Sequence, residues 1–73
     1  MSVPVSVPVA VVGCGHLGTF HARLYRDLPG ADLRAVCDIV PERAQVLGEM
    51  LGVPWTTDLS EALRGVRAVS VAT

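Results

Sequence analysis

Apolar residues along this chain occur either in short unbroken runs or at helical spacing, and the two kinds of pattern alternate. Unbroken runs of β-branched and small residues are typical of strands that are buried on both faces of a parallel sheet. Apolar positions three and four residues apart are typical of amphipathic helices. The alternation predicts strands at residues 9–12, 33–37, 54–56 and 68–73, separated by helices at residues 16–28, 41–51 and within 57–63.

The first of these helices has the most regular periodicity. Leucine or phenylalanine recurs at three- and four-residue steps, at Leu17, Phe20, Leu24 and Leu28, and charged residues fall on the other side. Such a stripe is typical of a helix that buries one side and exposes the other.

Three glycines connect the first strand to this helix. Gly13 permits a tight turn, Gly15 allows a pyrophosphate group to approach the backbone, and Gly18 lets the helix pack closely on its strand. The spacing alone is a weak signal, because the chain has seven glycines in 73 residues. A strand before the glycines, a helix after them and an acidic residue about 20 positions further on would support a dinucleotide-binding loop.

The amino end of the first helix has no Ser, Thr, Asp or Asn cap. Its first amides, at His16 and Leu17, are therefore predicted to be free. Together with the positive end of the helix dipole, these amides form a site for a phosphate anion.

Asp38 supplies the acidic residue, because it lies 20 residues after Gly18 and directly follows the second predicted strand. A carboxylate at this position accepts hydrogen bonds from the adenosine ribose hydroxyls and repels the 2′-phosphate of NADP. The sequence therefore favours NAD as the cofactor. Arg43 is close enough along the chain to reach a phosphate, which leaves NADP open as the alternative.

Right-handed crossovers place the first strand between the second and the fourth, with the third on the far side of the second. The predicted fold class is therefore α/β, a partial Rossmann fold whose parallel sheet forms the first mononucleotide-binding half. Strand order reverses between the first and fourth strands, where such sheets bind their ligands. Ala72 and Thr73, at the end of the fourth strand, are expected to face the same ligand as the glycine loop.

The length of the chain limits it to one domain. Its 73 residues suffice for only one of the two halves of a complete dinucleotide fold. We expect residues 9–73 to form a truncated NAD(P)-binding domain that lacks a substrate domain. Residues 1–8 contain a repeated Ser-Val-Pro-Val, whose prolines remove backbone donors, and are expected to be a flexible leader.

The composition of the chain argues against nucleic acid and membranes as partners and against catalysis by lysine. A net charge of −1 indicates no electrostatic attraction to nucleic acid or to an anionic membrane. Neither a secretion signal nor an apolar stretch long enough to span a membrane is present, so we expect a cytoplasmic protein. All six basic residues are arginines, which excludes lysine chemistry within these residues.

Neither the cysteines nor the histidines form a recognisable catalytic or metal-binding pattern, and no metal site is predicted. Cys14 and Cys37 lack metal-ligand or redox spacing and are interpreted as packing residues of the core. His21 lies inside the first helix, where its side chain is expected to point sideways to the sheet. No catalytic residue is therefore assigned.

With these features in place, the chain resembles the amino terminus of the Gfo/Idh/MocA family, the glucose-fructose oxidoreductase and inositol dehydrogenase group. The resemblance covers nearly everything after Pro8. It rests on the following segments: Gly13 to Gly18, His21-Ala22, Asp38 with Pro41 to Ala44, Asp58 to Leu63, and Ala68 to Thr73. Val40 and Arg67 depart from the family pattern, which often has acidic residues there.

The resemblance implies that NAD or NADP binds to this domain. It also implies hydride transfer to or from a sugar or cyclitol held by a second domain. The family's catalytic Lys, Asp and His lie beyond the residues matched here, so none is carried over, and these 73 residues alone are expected to catalyse nothing.

Other functions stay open for the same loop. The first is a non-catalytic dinucleotide-binding or sensing module, and the second is a different Rossmann enzyme, such as a flavin-linked one or a small reductase. For the full-length protein we expect a sugar or polyol substrate as its partner, and homo-oligomer formation is left open.

Overall fold

A computed structural model of the chain describes residues 7–72, except for the side chains of His16 and Leu17. Strands and helices alternate along these residues in the predicted order. The elements are β1 (Val7–Val12), α1 (His16–Asp27), β2 (Ala31–Cys37), α2 (Pro41–Leu51), β3 (Trp55–Thr56), α3 (Leu59–Ala62) and β4 (Ala68–Val71). Within residues 7–72, no helix combines the length and the apolar character that crossing a lipid bilayer would require.

Within the described residues, the strands form one parallel sheet in the order β3-β2-β1-β4. This order confirms the predicted topology, with β1 between β2 and β4. In the register of the sheet, Val12 at the end of β1 pairs with Cys37 on one side and with Val71 on the other. The carboxyl ends of three strands therefore meet at one edge of the sheet.

Strand β1 begins two residues earlier than the sequence predicted. The Val7 amide donates to the Gly30 carbonyl at 3.0 Å, and the Pro8 carbonyl accepts from the Arg67 amide at 2.8 Å. Pro8 lacks a donor, but its carbonyl is still available to pair with a neighbouring segment. The assignment of residues 7 and 8 to a flexible leader is therefore wrong, and the rest of that predicted leader lies outside the described residues.

Three residues of the predicted leucine and phenylalanine stripe, Phe20, Leu24 and Leu28, are exposed rather than buried. The exposed fraction is 58% for Phe20, 47% for Leu24 and 49% for Leu28. Gly18 is buried instead, and Ala22 is completely buried. Gly18 is required on this face because a Cβ atom there would overlap the carbonyl of Gly13.

The core lies between the sheet and the helices α1 and α2. Its largest fully buried side chains are Val11 of β1, Val36 of β2 and Leu47 of α2. They belong to a cluster that also includes Ala22 and Ala44. Residues from β1, β2, α1 and α2 thus form one apolar core, which holds the carboxyl ends of the strands in place.

Gly48 in the middle of α2 is packed against Trp55. A Cβ atom at Gly48 would lie 2.7 Å from the Trp55 Cβ and 3.0 Å from the Val53 carbonyl oxygen. These are atoms on or next to the backbone, so they cannot move away cheaply. The contact explains why a helix-weakening residue occurs in the interior of α2.

We predict that Gly48→Ala destabilises the chain although alanine is the better helix former. The gain in helix propensity is about 1 kcal/mol, whereas overpacking of a tight contact costs about 1–3 kcal/mol. Urea unfolding followed by the fluorescence of Trp55 should show a lower free energy of unfolding. Gly30→Ala is the matched control, because no described atom other than those of Gly30 and its two chain neighbours lies within 4 Å of the added Cβ. A more stable Gly48→Ala variant would contradict this packing.

Candidate functional site

A cleft of about 460 Å³ opens at the edge of the sheet where the strands end. The glycine loop after β1 forms one wall, and the segments after β2 and β3 form the other. Five predicted site residues line this cleft: Gly13, Gly15, Asp38, Arg43 and Ala72. The fold therefore brings together residues that lie up to 59 positions apart in the sequence, from Gly13 to Ala72.

Four predicted site residues remain. Gly18 is buried and is not among the residues that line the cleft, so its contact with the ligand stays a prediction. His16 and Leu17 form the first two residues of α1, but their side chains are not described. Thr73 lies outside the described residues. The roles predicted for their amides and for Thr73 stay predictions.

The sequence did not identify the apolar and hydroxyl-bearing residues that line the cleft just after β2 and β3. These residues are Ile39, Val40, Thr57 and Leu59. Ile39 is 88% exposed and Leu59 is 51% exposed. Their positions immediately after β2 and β3 are the signal that would have identified them, because ligands of such sheets bind beyond the strand ends.

The glycines of the loop serve the chain in different ways. Gly13 has a φ of +97°, and a Cβ atom there would overlap the carbonyl of Ala72. A Cβ atom at Gly18 would overlap the carbonyl of Gly13. Both positions therefore need glycine for the fold itself.

Gly15 differs from the other two glycines of the loop. Its backbone is extended, with φ −74° and ψ −158°, a conformation open to any residue. Apart from Gly15 itself and its two chain neighbours, no described atom lies within 4 Å of the position that a Cβ would occupy. The described chain itself therefore leaves room for a side chain at Gly15, which is one of the residues that line the cleft.

Helix α1 begins at the loop without a side-chain cap. Gly15 is its N-cap residue, and the first turn has no acidic residue. The carbonyl of Gly15 accepts the first helical bond, from the Thr19 amide at 2.9 Å. The first amides of any α-helix have no acceptor within the helix, so this end is suited to an anion.

Asp38 connects the two walls of the cleft. Its Oδ2 accepts from the Cys14 amide at 2.7 Å, and its Oδ1 accepts from the Val40 amide at 2.8 Å. Burial by itself would raise the pKa of this carboxyl group, but the two amides and the charge of Arg43 together lower it below its ordinary value. Asp38 is therefore a carboxylate at neutral pH, and each oxygen keeps a further acceptor position.

The cysteines are packed beneath the loop, as the sequence analysis predicted. Cys14 and Cys37 are both free thiols and both buried. Burial and the negative charge of Asp38 raise the pKa of Cys14 to about 11 and also raise that of Cys37. The Cys14 thiol donates to the Cys37 carbonyl at 3.3 Å. Neither group is a thiolate at neutral pH, so neither is suited to act as a nucleophile.

His21 is absent from the described lining of the cleft. Its Nδ1 lies 2.9 Å from the Oγ of Ser70, so it connects α1 to β4. This position agrees with the expectation that His21 points sideways from the helix. Its partner Ser70 was not identified from the sequence.

Comparisons with known proteins agree with the fold and with the kind of cleft described above. Residues 7–73 match the model of the Gfo/Idh/MocA family, described as an oxidoreductase family with an NAD-binding Rossmann fold. The inositol 2-dehydrogenase of Renibacterium salmoninarum is 40% identical over 68 residues, which cover 89% of this chain and 20% of that protein. The scyllo-inositol 2-dehydrogenase (NAD⁺) of Bacillus subtilis is 39% identical over 71 residues, covering 92% and 21%.

A solved structure of a similar protein has the same fold as this chain. GenD2 from gentamicin A biosynthesis, solved in complex with NAD, matches with a TM-score of 0.90 and 39% identity. The match covers 100% of this chain and 22% of that protein. The chain thus spans about a fifth of the length of the relatives that it matches.

We predict that Asp38→Asn destabilises the chain at neutral pH. An amide side chain has only one oxygen, so one of the two backbone amides loses its acceptor. Loss of a hydrogen bond to a charged group costs about 1.5–3 kcal/mol. Urea unfolding followed by circular dichroism should show this loss at about pH 7.

The loss should shrink as the pH falls below the ordinary pKa of an Asp. The pKa of Asp38 is lower in the folded chain than in the unfolded chain, so its contribution is complete above the unfolded value of 3.8. It is lost as the pH falls through the folded value. Asp32→Asn is the matched control, because Asp32 pairs with Arg34 at the exposed surface. Equal effects of the two substitutions would contradict the assigned role of Asp38.

Proposed function

The chain belongs to the Gfo/Idh/MocA oxidoreductase family, with its NAD-binding Rossmann fold, and on that premise we propose that its cleft binds the adenosine and pyrophosphate groups of NAD. The observation that carries this proposal is the open space at Gly15. Nothing described within the chain requires glycine there, whereas a pyrophosphate group that contacts the backbone does.

The adenosine half would lie against the wall formed by the segments after β2 and β3. Asp38 has acceptor positions left for the two ribose hydroxyls, and its hydrogen bonds with Cys14 and Val40 hold it in place before the ligand arrives. The exposed side chains of Ile39 and Leu59 provide apolar surface for the adenine base. This wall combines apolar contact with a few fixed polar groups, as small-molecule sites generally do.

The pyrophosphate group would lie at the amino end of α1. Helix amides without acceptors and the positive end of the dipole favour an anion there. Gly15 leaves the space that such an anion needs, and Gly13 and Ala72 close the floor beneath it. Arg43 lines the same cleft and adds a positive charge.

For the whole protein we propose hydride transfer between NAD(P) and a carbon atom of a sugar or cyclitol, in line with the inositol dehydrogenases among its relatives. The bound nicotinamide supplies the hydride acceptor or donor. The described residues bind and orient the cofactor. We assign proton transfer to none of them, because Cys14 is a neutral thiol and Asp38 is engaged by two amides.

The sugar or polyol substrate, the cytoplasmic location and the possible homo-oligomer of the full-length protein stay predictions. The names of the relatives support only the first of these. A substrate domain, as the family resemblance implies, would determine which hydroxyl carbon is placed against the nicotinamide.

We predict that Gly15→Val abolishes NAD binding without unfolding the chain. The extended backbone at Gly15 accepts valine, but the branched side chain fills the space proposed for the pyrophosphate group. Titration of the purified variant and parent with NAD, followed by calorimetry, measures the effect. Gly30→Val is the matched control, since the space around Gly30 is also open but lies away from the cleft. Equal NAD affinity in parent and Gly15→Val would refute the assignment of the loop.

We also predict that NAD binds at least about tenfold more tightly than NADP, a difference of about 1.4 kcal/mol. The lowered pKa of Asp38 keeps a negative charge at the position where the 2′-phosphate of NADP would lie. Arg43 opposes this effect, so Arg43→Gln should increase the preference for NAD. Parallel titrations with NAD and NADP test both statements. Tighter binding of NADP by the parent chain would show that Arg43 outweighs Asp38.

A further inference from the structure

The hydrogen bond between His21 and Ser70 joins helix α1 to strand β4. Nδ1 of His21 in α1 lies 2.9 Å from Oγ of Ser70 in β4, and both residues are half-buried. Within the described part of the chain, no other hydrogen bond connects α1 with β4. The bond is available in either neutral form of the ring, because a hydroxyl group both donates and accepts.

The apolar side chains of α1 differ widely in burial. Ala22 is fully buried, whereas Phe20 and Leu24, on the side of α1 away from the core, are about half exposed. The rings of Phe20 and His21 are tilted against each other with centroids 6.4 Å apart. His21 therefore lies at the boundary between the buried face of α1 and its exposed apolar stripe.

Each partner of this bond lies close to a part of the cleft. His21 lies in the same helix whose amino end follows Gly15. Ser70 is two residues before Ala72, whose amide donates to the Val12 carbonyl at 2.8 Å. A Cβ atom at Gly18 would lie 3.7 Å from the Cβ of Ala72, so α1 and the end of β4 are already in close approach. A change in the distance between α1 and β4 would therefore change the part of the cleft that Gly13, Gly15 and Ala72 line.

We propose that the His21–Ser70 hydrogen bond positions the amino end of α1 against the end of β4, and thereby determines the geometry of the pyrophosphate subsite. This inference rests on the proposed binding of NAD. His21 and Ser70 are positioning residues, because they act through the helix and the strand and do not line the cleft. The adenosine wall, formed after β2 and β3, is independent of this bond.

The test compares Ser70→Ala and His21→Leu, alone and combined, in the full chain. Loss of this hydrogen bond should raise the Kd for NAD by up to about fivefold, the full worth of one such bond. The double variant should be no weaker than either single variant, because both substitutions remove the same bond. The Kd for adenosine, which lacks the pyrophosphate group, should stay within about twofold of the parent value in all three variants.

Two further variants separate positioning from general damage to the fold. His21→Asn keeps a hydrogen-bonding atom near the position of Nδ1 and should restore most of the NAD affinity that His21→Leu loses. Ser60→Ala, at an exposed residue of α3, is the matched control for Ser70→Ala and should leave both affinities unchanged. Equal weakening of adenosine and NAD, or an unchanged Kd for NAD in Ser70→Ala, would overturn the proposal.

A measurement without ligand keeps this test separate from the proposed function. In ¹⁵N-¹H spectra of the free chain, Ser70→Ala should shift the amide resonances of Gly15 and Gly18, and Ser60→Ala should not. If the parent chain binds no NAD, the proposed function is wrong, and these shifts alone decide whether the bond positions the loop. Unshifted loop resonances would overturn the positioning role whatever the affinity for NAD.

Discussion

The close approach between helix α1 and the loop before it is the constraint on which the rest of the cleft depends. Side chains at Gly13 and Gly18 would overlap the carbonyls of Ala72 and Gly13. Their absence lets the end of β1, the amino end of α1 and the residue after β4 occupy one small volume. A side chain at either position would move the helix away from the strands and open the cleft before any ligand arrived.

The buried carboxylate of Asp38 extends this arrangement to the opposite wall. It accepts one hydrogen bond from the amide of Cys14 in the glycine loop and another from the amide of Val40 in the turn that precedes α2. The two amides offset the cost of burying its charge. The same bonds orient the carboxylate in advance, so a ribose that binds there does not have to order it. One side chain thus supports the loop and, on the proposed function, also recognises the ribose.

The order of the elements and the topology of the sheet could be predicted from the sequence because they follow from local patterns. Apolar periodicity separates strands from helices, and the handedness of crossovers then leaves one arrangement of the strands. The buried side of α1 could not be predicted in this way. Hydrophobicity favours the stripe that contains Phe20 and Leu24, but the short distance to the sheet admits only Gly18 and Ala22. Periodicity measures apolar character and contains no information about distance.

The candidate site shows the same division between local and long-range information. Glycine spacing and the position of Asp38 after a strand are local signals, and the structure places Gly13, Gly15 and Asp38 along one cleft. The bond from Asp38 to Cys14 spans 24 residues and the bond from His21 to Ser70 spans 49, so no short pattern reveals either. These contacts depend on the register of neighbouring strands, which becomes known only when the sheet is assembled.

Gly15 illustrates what the structure adds to the glycine pattern. In the sequence, Gly13, Gly15 and Gly18 are equivalent members of one spacing, but the described chain requires glycine only at the first and third. Ser, Asp or Asn at the N-cap position of α1 would satisfy a free amide and stabilise the helix by a few tenths of a kcal/mol relative to glycine. Glycine leaves both that amide and the space beside it available. A helix end of this kind is suited to bind an anion that approaches the backbone closely, which is the role proposed for it here.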